Sequence, residues 1–373
     1  MVERPRLTPA IADVRRALRE QVDAATAALG SPLMPGELIL VACSGGPDSL
    51  ALAAALAFEV GASHREGLGL QAGAVIVDHG LQSVSAEVAA RTAAKLADLG
   101  LAPVEIVKVS VGAAGGPEAA ARDARYEALR AAAAGLGARF VLLGHTLDDQ
   151  AETVLLGLAR GSGARSLSGM AALTPAPLAT SAPSATSAPS ATPDSVAAEG
   201  IHYLRPLLGI SRAATVAFCE DSGLTPWHDP HNQDPKFVRV RVRQTVMPVL
   251  EAELGPNIAG ALARTADLLR ADADYLDALA ETEFTRLALL GSTDLTFDIA
   301  PLNALAQAIR SRVLKSALAV FTAESSLAHI RSIEDLLDNW HGQKMLTLPR
   351  VRVERAGEKL VFKSTKTMKS GVC

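Results

Sequence analysis

The sequence predicts an α/β protein in which a doubly wound parallel sheet is followed by a second, smaller and mostly helical domain. Over residues 37–144, short runs of apolar and β-branched residues alternate with Ala-rich stretches of helical character. A helical periodicity then extends from about residue 238 to residue 340. The chain closes with two alternating segments around RAGEK (355–359), which predict a hairpin.

Four buried strands account for the first region. Their runs are ELILVAC (37–43), AGAVIVD (72–78), PVEIVKV (103–109) and ARFVLLG (138–144). Each run is apolar enough to be buried on both faces, which is typical of parallel strands covered by helices. We therefore expect the carboxyl ends of the strands to meet at one edge, where open α/β sheets bind their ligands.

Residues 174–199 interrupt this pattern with TPAPLATSAPSATSAPSATPDSVAAE, in which a Ser-Ala-Pro-Ser-Ala-Thr unit recurs. Small and polar side chains of this kind cannot bury enough area to offset the entropy lost on ordering. We therefore predict a disordered insertion.

Composition limits the classes of protein that remain. The 373 residues, 49 % of them hydrophobic, are enough for two domains with real cores. Three dispersed cysteines without a CxxC pair argue against a disulfide framework, a zinc site or an iron–sulfur site, and favour the cytoplasm. No stretch is long and uncharged enough to predict a membrane span. With a formal charge of −4, any contact with nucleic acid must come from local basic clusters.

A glycine-rich turn, Ser44-Gly45-Gly46-Pro47-Asp48-Ser49, follows the first strand directly. Such a turn places free backbone N–H groups at the start of the next helix, where they favour an anion such as phosphate. Neither GxxxxGK followed by Ser or Thr nor GxGxxG is present, so the P-loop and the dinucleotide fingerprint are excluded. On these residues alone, a tight strand-to-helix turn with a Ser N-cap is the alternative.

Acidic residues begin the helix after the fourth strand. Asp148 and Glu152 are four residues apart and Asp149 and Glu152 three apart, so these carboxylates share a helical face. They could coordinate a divalent ion between phosphates or simply stabilise the helix N-terminus. His79 and His145 also lie at strand ends, where they could meet a nucleotide or have a structural role.

The turn at 44–49 resembles the PP-loop of the N-type ATP pyrophosphatases, which cleave ATP to AMP and pyrophosphate on a Rossmann-like sheet. Further stretches in the same order resemble the tRNA(Ile)-lysidine synthetases; they are VDHGL (77–81), GHTLDDQAET (144–153), RGSGARSLSGM (160–170), LRPLL (204–208) and WHDPHNQDPKFVRVRVRQTVMPVLE (227–251). The resemblance implies ATP-dependent ligation of lysine to C2 of cytidine 34 in the CAU anticodon of tRNA(Ile). The reaction would pass through an adenylated cytidine and release pyrophosphate and AMP.

The resemblance also implies cofactors, partners and residue roles. ATP and Mg²⁺ are the expected cofactors. The expected partners are tRNA(Ile) and L-lysine, and the resemblance allows a homodimer. The predicted catalytic residues are Asp48, Arg125, Asp149 and Glu152, of which Asp48, Asp149 and Glu152 would hold the metal. The predicted ATP-binding residues are Ser44, Gly45, Gly46, Pro47, Asp48, Ser49, His79 and His145. The predicted tRNA-binding residues are Arg205, Lys236, Arg239, Arg241 and Arg243.

Several of these residues have a purely structural role as the alternative. Arg125 could be a solvated helix charge, Arg205 an ion-pair partner, and the basic residues of 236–243 a solvated face. Another PP-loop enzyme of the thiolase or amidating type and a non-catalytic ATP-binding module are the alternative functions. Dispersed cysteines disfavour a thiolase, and the presence of both the loop and the acids disfavours a module that cleaves nothing.

These expectations divide the chain into three parts. They are an N-terminal helical extension (1–36), a PP-loop catalytic domain (37–235) that contains the insertion, and a helical substrate- and tRNA-binding domain (236–373) with the C-terminal hairpin.

Overall fold

A computed structural model of the chain describes residues 7–65, 69–80, 84–109, 117–161, 163–176, 200–321 and 326–365. The structure divides into two compact units, Met1–Asp267 and Leu268–Cys373. No helix in these described ranges is long and apolar enough to cross a membrane.

The first unit contains a six-stranded sheet. Its strands are β1 (Leu38–Ala42), β2 (Gln71–Asp78), β3 (Val104–Lys108), β4 (Phe140–Leu143), β5 (Leu173–Pro175) and β6 (His202–Leu204). The spatial order is β3-β2-β1-β4-β6-β5, and all neighbours are parallel except β5 and β6. The predicted doubly wound parallel sheet is confirmed. Because the chain leaves β1 towards β2 and later returns to its other side at β4, a switch point lies between β1 and β4.

Helices cover this sheet. They are α1 (Pro9–Ala28), α2 (Pro47–Arg65), α3 (Ser85–Asp98), α4 (Pro117–Leu136), α5 (Leu147–Ala159), α6 (Ala164–Leu167), α7 (Arg212–Asp221), α8 (Val238–Arg241), α9 (Met247–Leu254) and α10 (Ile258–Leu287), the last of which contains the division between the units. A 3₁₀ turn spans Pro230–Gln233, and a π-helical turn, Val242–Val246, joins α8 to α9.

Alternating side chains of the strands form two apolar cores. In β1, Ile39 and Val41 contribute to a core with α1, α2 and α7, whereas Leu40 contributes to a core with α4. Helix α1 belongs to the first core because its buried residues recur every three or four positions, as Val14, Leu18 and Val22 do. The helix predicted in the N-terminal extension is therefore a layer of the same unit.

Two details of the sheet differ from the sequence prediction. Strand β3 is an edge strand with Ile106 42 % exposed, so the expectation that all four strands are buried on both faces is wrong for it. Thr174 and Pro175 belong to β5 and pair with Tyr203 and His202, which takes them out of the predicted insertion. Proline is tolerated there because β5 is an edge strand. Residues 177–199 of the insertion lie outside the described residues.

The second unit combines three further helices with an antiparallel sheet. The elements are β7 (Leu289–Leu290), β8 (Asp294–Asp298), α11 (Ile299–Asn303), α12 (Gln307–Val320), α13 (Leu327–Asp338), β9 (Leu346–Leu348), β10 (Val351–Ala356) and β11 (Lys359–Ser364). The predicted hairpin is confirmed as β10–β11, with Ala356 opposite Lys359. It belongs to a larger sheet of order β7-β8-β11-β10-β9, which the helical periodicity did not predict.

Candidate active site

The predicted PP-loop lies between β1 and α2, at the switch point. Gly45 has a φ of 83°, and a Cβ there would lie 2.6 Å from the Thr92 hydroxyl oxygen, so only glycine fits. The Ser49 hydroxyl accepts a hydrogen bond from Ser44 N at 3.2 Å and donates to Gly46 O at 3.1 Å. These contacts hold the loop in place at the N-terminus of α2, where the helix favours anions.

A segment from much later in the chain covers this loop. Trp227 N donates to Gly45 O at 2.8 Å. Trp227, Asp229 and Asn232 join the loop, His79, His145 and Arg125 in lining a cavity of about 410 Å³. Concave pockets of this volume are typical of small-molecule sites. The predicted loops after β1, β2 and β4 therefore converge on one cavity.

The predicted metal-binding carboxylates are joined by an arginine. Arg212, the first residue of α7, places Nε 3.3 Å from Asp48 Oδ2 and one terminal nitrogen 3.0 Å from Asp149 Oδ1. Its other terminal nitrogen lies 3.9 Å from Glu152 Oε1. The structure thus brings the three predicted acids together around a guanidinium that sequence reasoning missed.

Asp149 combines the two roles that the sequence left open. Its Oδ2 accepts hydrogen bonds from Thr146 N at 2.9 Å and from the Thr146 hydroxyl at 3.0 Å, which caps α5. Its Oδ1 faces Arg212. The capping role and the cluster role are therefore compatible, because each uses a different oxygen.

Glu152 is the most deeply buried acid of the cluster, with 1 % of its side chain exposed. Its Oε1 accepts a hydrogen bond from Arg243 Nε at 2.6 Å. Its Oε2 has no hydrogen-bond partner, and a terminal nitrogen of Arg239 lies 4.0 Å from it. A buried carboxylate oxygen without a partner is costly unless a ligand completes it.

Burial and the neighbouring hydrogen-bond donors and cations shift the pKa values of these acids in opposite directions. Burial raises the pKa of Asp48 although Arg212 and Thr215 lower it, and burial raises the pKa of Glu152 although Arg243 lowers it. For Asp149, burial also favours the neutral form, but Arg212, Thr146 and His145 outweigh it and leave the pKa below its ordinary value. The cluster therefore depends on nearby positive charge.

The donor set fits a magnesium ion that shares its ligands with phosphates. Within the described ranges, no group of three or more His, Cys, Asp or Glu side chains is arranged to hold a metal ion by itself. Magnesium is usually bound by one or two carboxylates together with substrate phosphates and water. Asp48 and Asp149 supply two carboxylates joined by Arg212, and Glu152, the third predicted ligand, lies 3.9 Å from the same guanidinium.

Cationic side chains lie on another side of the cavity. The Arg125 Nε is buried without a hydrogen-bond partner, and burial lowers the pKa of this guanidinium. Its carbon Cζ lies 5.5 Å from the centre of the Tyr126 ring, and that of Arg122 lies 5.0 Å from it. A cation lining a cavity with an unsatisfied donor suits an anionic ligand better than the solvated helix charge that was the alternative.

Arg205 is buried, with 6 % exposed. It donates to Ala171 O at 2.8 Å and to the Thr174 hydroxyl at 3.1 Å. The predicted contact with tRNA would require the side chain to leave these partners, and it stays a prediction.

Both predicted histidines line the cavity, and each has a buried Nδ1 without a partner. Burial lowers the pKa of His79 and, more strongly, that of His145. Both rings are therefore neutral at pH 7 and can accept a hydrogen bond.

The basic segment 236–243 is helical from Val238 onwards, and the helical period directs its arginines to different partners. Arg239 and Arg243, four residues apart, turn towards Glu152, whereas Arg241 donates to Pro235 O and Lys236 O. Lys236 pairs with Asp234 at 2.7 Å. Lys236 and Arg241 are therefore the exposed cations of this segment, whereas Arg243 pairs with the acidic cluster. Contact of any of these residues with tRNA stays a prediction.

Sequence reasoning gave no role to Arg212, Thr215 or Trp227. Arg212 could have been recognised from the sequence, because a cation at the first position of a helix opposes the helix dipole and requires an acidic partner. No comparable signal marks Thr215, which is fully buried and donates to Asp48 Oδ1.

Comparisons with known proteins agree with this geometry. Residues 17–250 match the family model of a PP-loop domain, and residues 297–361 match one described as a TilS substrate binding domain. The chain is 49 % identical over 335 residues to a tRNA(Ile)-lysidine synthase of Leifsonia xyli subsp. xyli, covering 89 % of this chain and 91 % of that protein. It is 48 % identical over 340 residues to that of Streptomyces coelicolor, covering 90 % and 87 %.

Among solved structures, the chain resembles the U34-tRNA thiolase NcsA from Methanococcus maripaludis with its 4Fe–4S cluster. The TM-score is 0.50 at 16 % identity, over 70 % of this chain and 80 % of that chain. At this identity the likeness supports the fold alone.

Proposed function

The chain belongs to the tRNA(Ile)-lysidine synthase family, and from this premise we propose that it ligates L-lysine to C2 of cytidine 34 in the CAU anticodon of tRNA(Ile) at the expense of ATP. The observation that carries the proposal is the convergence of the PP-loop, including Asp48, and of Arg125 on one cavity of about 410 Å³. Arg212 joins Asp149 and Glu152 to the same Asp48. The family resemblance seen in the sequence is confirmed at this level.

The first step activates the base. The C2 carbonyl oxygen of cytidine attacks the α-phosphate of ATP, and pyrophosphate leaves. The PP-loop N–H groups and the start of α2 bind the pyrophosphate portion, and Arg125 stabilises charge that develops at the α-phosphate. Neutral His79 and His145 lie in the nucleotide pocket as hydrogen-bond acceptors.

Asp48, Asp149 and Glu152 would hold Mg²⁺ together with the ATP phosphates. When bound, the ion neutralises negative charge on the pyrophosphate leaving group. The chain's own part is to fix these carboxylates beside the PP-loop, which Thr215, Thr146 and Arg243 do through hydrogen bonds.

The second step transfers lysine. The lysine ε-amine attacks C2 of the adenylated base, AMP leaves, and lysidine is the product. Lys236 and Arg241 are the exposed cations proposed to contact the tRNA backbone, and the second unit supplies further substrate contacts. The reaction is proposed to occur in the cytoplasm.

A tRNA-dependent assay tests this function. Labelled lysine should enter a CAU-anticodon isoleucine tRNA, with one pyrophosphate and one AMP formed for each lysine. Methionine tRNAs with the same anticodon, and an isoleucine tRNA in which cytidine 34 is replaced by uridine, serve as matched controls and should not be labelled.

The outcomes also separate the alternatives. A thiolase would transfer sulfur and leave lysine free, and a non-catalytic module would release no pyrophosphate with any tRNA. Pyrophosphate release that depends on tRNA without lysine incorporation would overturn the proposed substrate while preserving the ATP chemistry.

A further inference from the structure

The first turn of α7 binds acidic side chains from two different loops. The Arg212 guanidinium contacts Asp48 of the PP-loop and Asp149 of α5. The Arg212 backbone N donates to Asp148 Oδ2 at 2.7 Å, and the Thr215 hydroxyl donates to Asp48 Oδ1. These contacts tie the loop after β1 to the helix after β4 through α7.

The contacts occupy the oxygens that a metal ion would use. Asp48 Oδ1 accepts from Thr215, and its Oδ2 faces Arg212. Asp149 Oδ2 accepts from Thr146, and its Oδ1 faces Arg212. Every carboxylate oxygen of these two acids therefore has a partner, and Asp149 Oδ1 also faces Arg243 at 3.5 Å. A cation that binds these acids must share their oxygens with the guanidinium groups or displace Arg212.

Arg212 is also an unusual cation for its position. It is the first residue of a ten-residue helix, where the helix dipole opposes positive charge. Only 24 % of its side chain is exposed. A half-buried guanidinium at this place is stable only because several carboxylates surround it, so its position is set by the acids.

We propose that Arg212 is a built-in counter-ion that competes with the magnesium ion for the oxygens of Asp48 and Asp149, and that it makes magnesium binding depend on ATP. Arg212 is a positioning residue, because it holds Asp48 and Asp149 together across the switch point. The phosphates of ATP supply the additional ligands that let magnesium displace it. The inference rests on the proposed use of ATP but not on the identity of the tRNA or of lysine.

The proposal predicts how magnesium acts on the protein without nucleotide. Arg212→Met keeps a stem of similar length and removes the guanidinium donors, so Asp48 Oδ2 loses its partner and Asp149 Oδ1 keeps only Arg243, 3.5 Å away. We expect this variant to melt at lower temperature than the parent in EDTA, by roughly 4–10 °C. MgCl₂ should restore much of the loss, and calorimetric titration should show Mg²⁺ binding at least about ten-fold tighter than to the parent, since the ion no longer competes with an internal cation.

Arg139→Met is the matched control. Arg139 has 20 % of its side chain exposed and pairs with Glu37 at 2.8 Å, away from the cluster. Its loss should lower the melting temperature without any recovery by MgCl₂. NaCl at the same ionic strength separates specific binding from general screening.

A second variant, Arg212→Lys, keeps one charge but cannot bridge two carboxylates as the planar guanidinium does. Its magnesium response should lie between those of the parent and Arg212→Met, and its KM for ATP in pyrophosphate release should rise about three- to ten-fold. If Arg212→Met does not fold, the comparison of Arg212→Lys with Arg139→Lys decides.

The inference is overturned if the Arg212 variants respond to magnesium no more than the Arg139 variants do. Arg212 would then be a structural ion pair only. Because melting and magnesium titration need neither tRNA nor lysine, this result would leave the proposed function intact. Conversely, failure of lysine incorporation in the parent would leave the magnesium result interpretable.

Discussion

The two units of the chain differ in the polarity of their buried side chains. Within the described ranges, all the buried polar and charged side chains lie in the first unit, among them Asp78, Glu152 and Arg205. The core of the second unit consists of apolar side chains such as Phe297, Leu314 and Phe362.

Burying a charge is unfavourable unless it is paired, so a fold that buries several has a reason other than stability. In the second unit, the ion pair Lys363–Glu354 at 2.6 Å is exposed, whereas Arg310, with 12 % of its side chain exposed, pairs with the more exposed Asp338 at 2.7 Å. The contrast teaches that the interior of the first unit is organised for a charged ligand, whereas that of the second is organised for packing. Substitutions in the two regions should therefore separate activity from stability.

The largest expected effect is on activity in the first unit. Asp48→Asn removes charge at nearly constant volume, and it should lower kcat/KM for pyrophosphate release by about 10³-fold or more, or about 4 kcal/mol. The melting temperature should stay within a few degrees of the parent, because burial already raises the pKa of Asp48 and makes its charge unfavourable. Asp123→Asn, an exposed acid of α4, is the control. Near-normal turnover of folded Asp48→Asn would remove Asp48 from the mechanism.

The next effect is on stability in the second unit. Phe362 is fully buried and its ring centre lies 5.9 Å from that of Phe297, so Phe362→Ala should lower the free energy of unfolding by about 3–4 kcal/mol. Tyr275→Ala, which truncates an aromatic side chain that is 67 % exposed, should change it by less than about 0.5 kcal/mol. ATP affinity without tRNA should be the same in both variants. A weakened ATP affinity in Phe362→Ala would break the proposed separation.

A smaller effect concerns pH. Burial lowers the pKa of His145 to about 3, whereas an unfolded histidine titrates near 6.5. Below pH 6.5 the unfolded chain therefore binds a proton that the folded chain does not, and stability is lost as the pH falls. His145→Gln should remove about 1–2 kcal/mol of the decline between pH 7.5 and pH 5, measured by urea unfolding.

Asp48 and Glu152, whose pKa values burial raises, act with the opposite sign, so the informative quantity is the difference between parent and variant. Parallel pH profiles for parent and His145→Gln would show that His145 is not the group responsible.

The smallest effect separates two neighbouring arginines. Arg241→Gln should weaken tRNA binding a few-fold and lower its salt slope by roughly 0.7 to 0.9, with ATP affinity unchanged. Arg243→Gln should instead raise the KM for ATP, because it removes the partner of Glu152 Oε1. If both variants changed only the salt slope, the contact between Arg243 and the acidic cluster would have no functional meaning.

Much of this architecture could be predicted because its signals are local. The four parallel strands, the PP-loop and the acids of α5 each lie within one short stretch of sequence. Strand β5 could not be predicted, since three residues at the start of a Pro- and Ala-rich segment carry no strand periodicity. The contact between Arg212 and Asp48 could not be predicted for another reason, since the two residues lie 164 positions apart in the chain.

The sequence by itself determined the parallel sheet, the loop at its switch point and the membership of the family, because hydrophobic period and motif spacing act over a few residues. Only the tertiary structure decided which cation neutralises which acid. Arg243 and Arg241 are two residues apart and look equivalent in sequence, yet a helical turn directs one to Glu152 and the other to backbone carbonyls. Charge pairing depends on distances of a few ångströms between side chains that only folding brings together, so it could not be deduced from the order of residues along the chain.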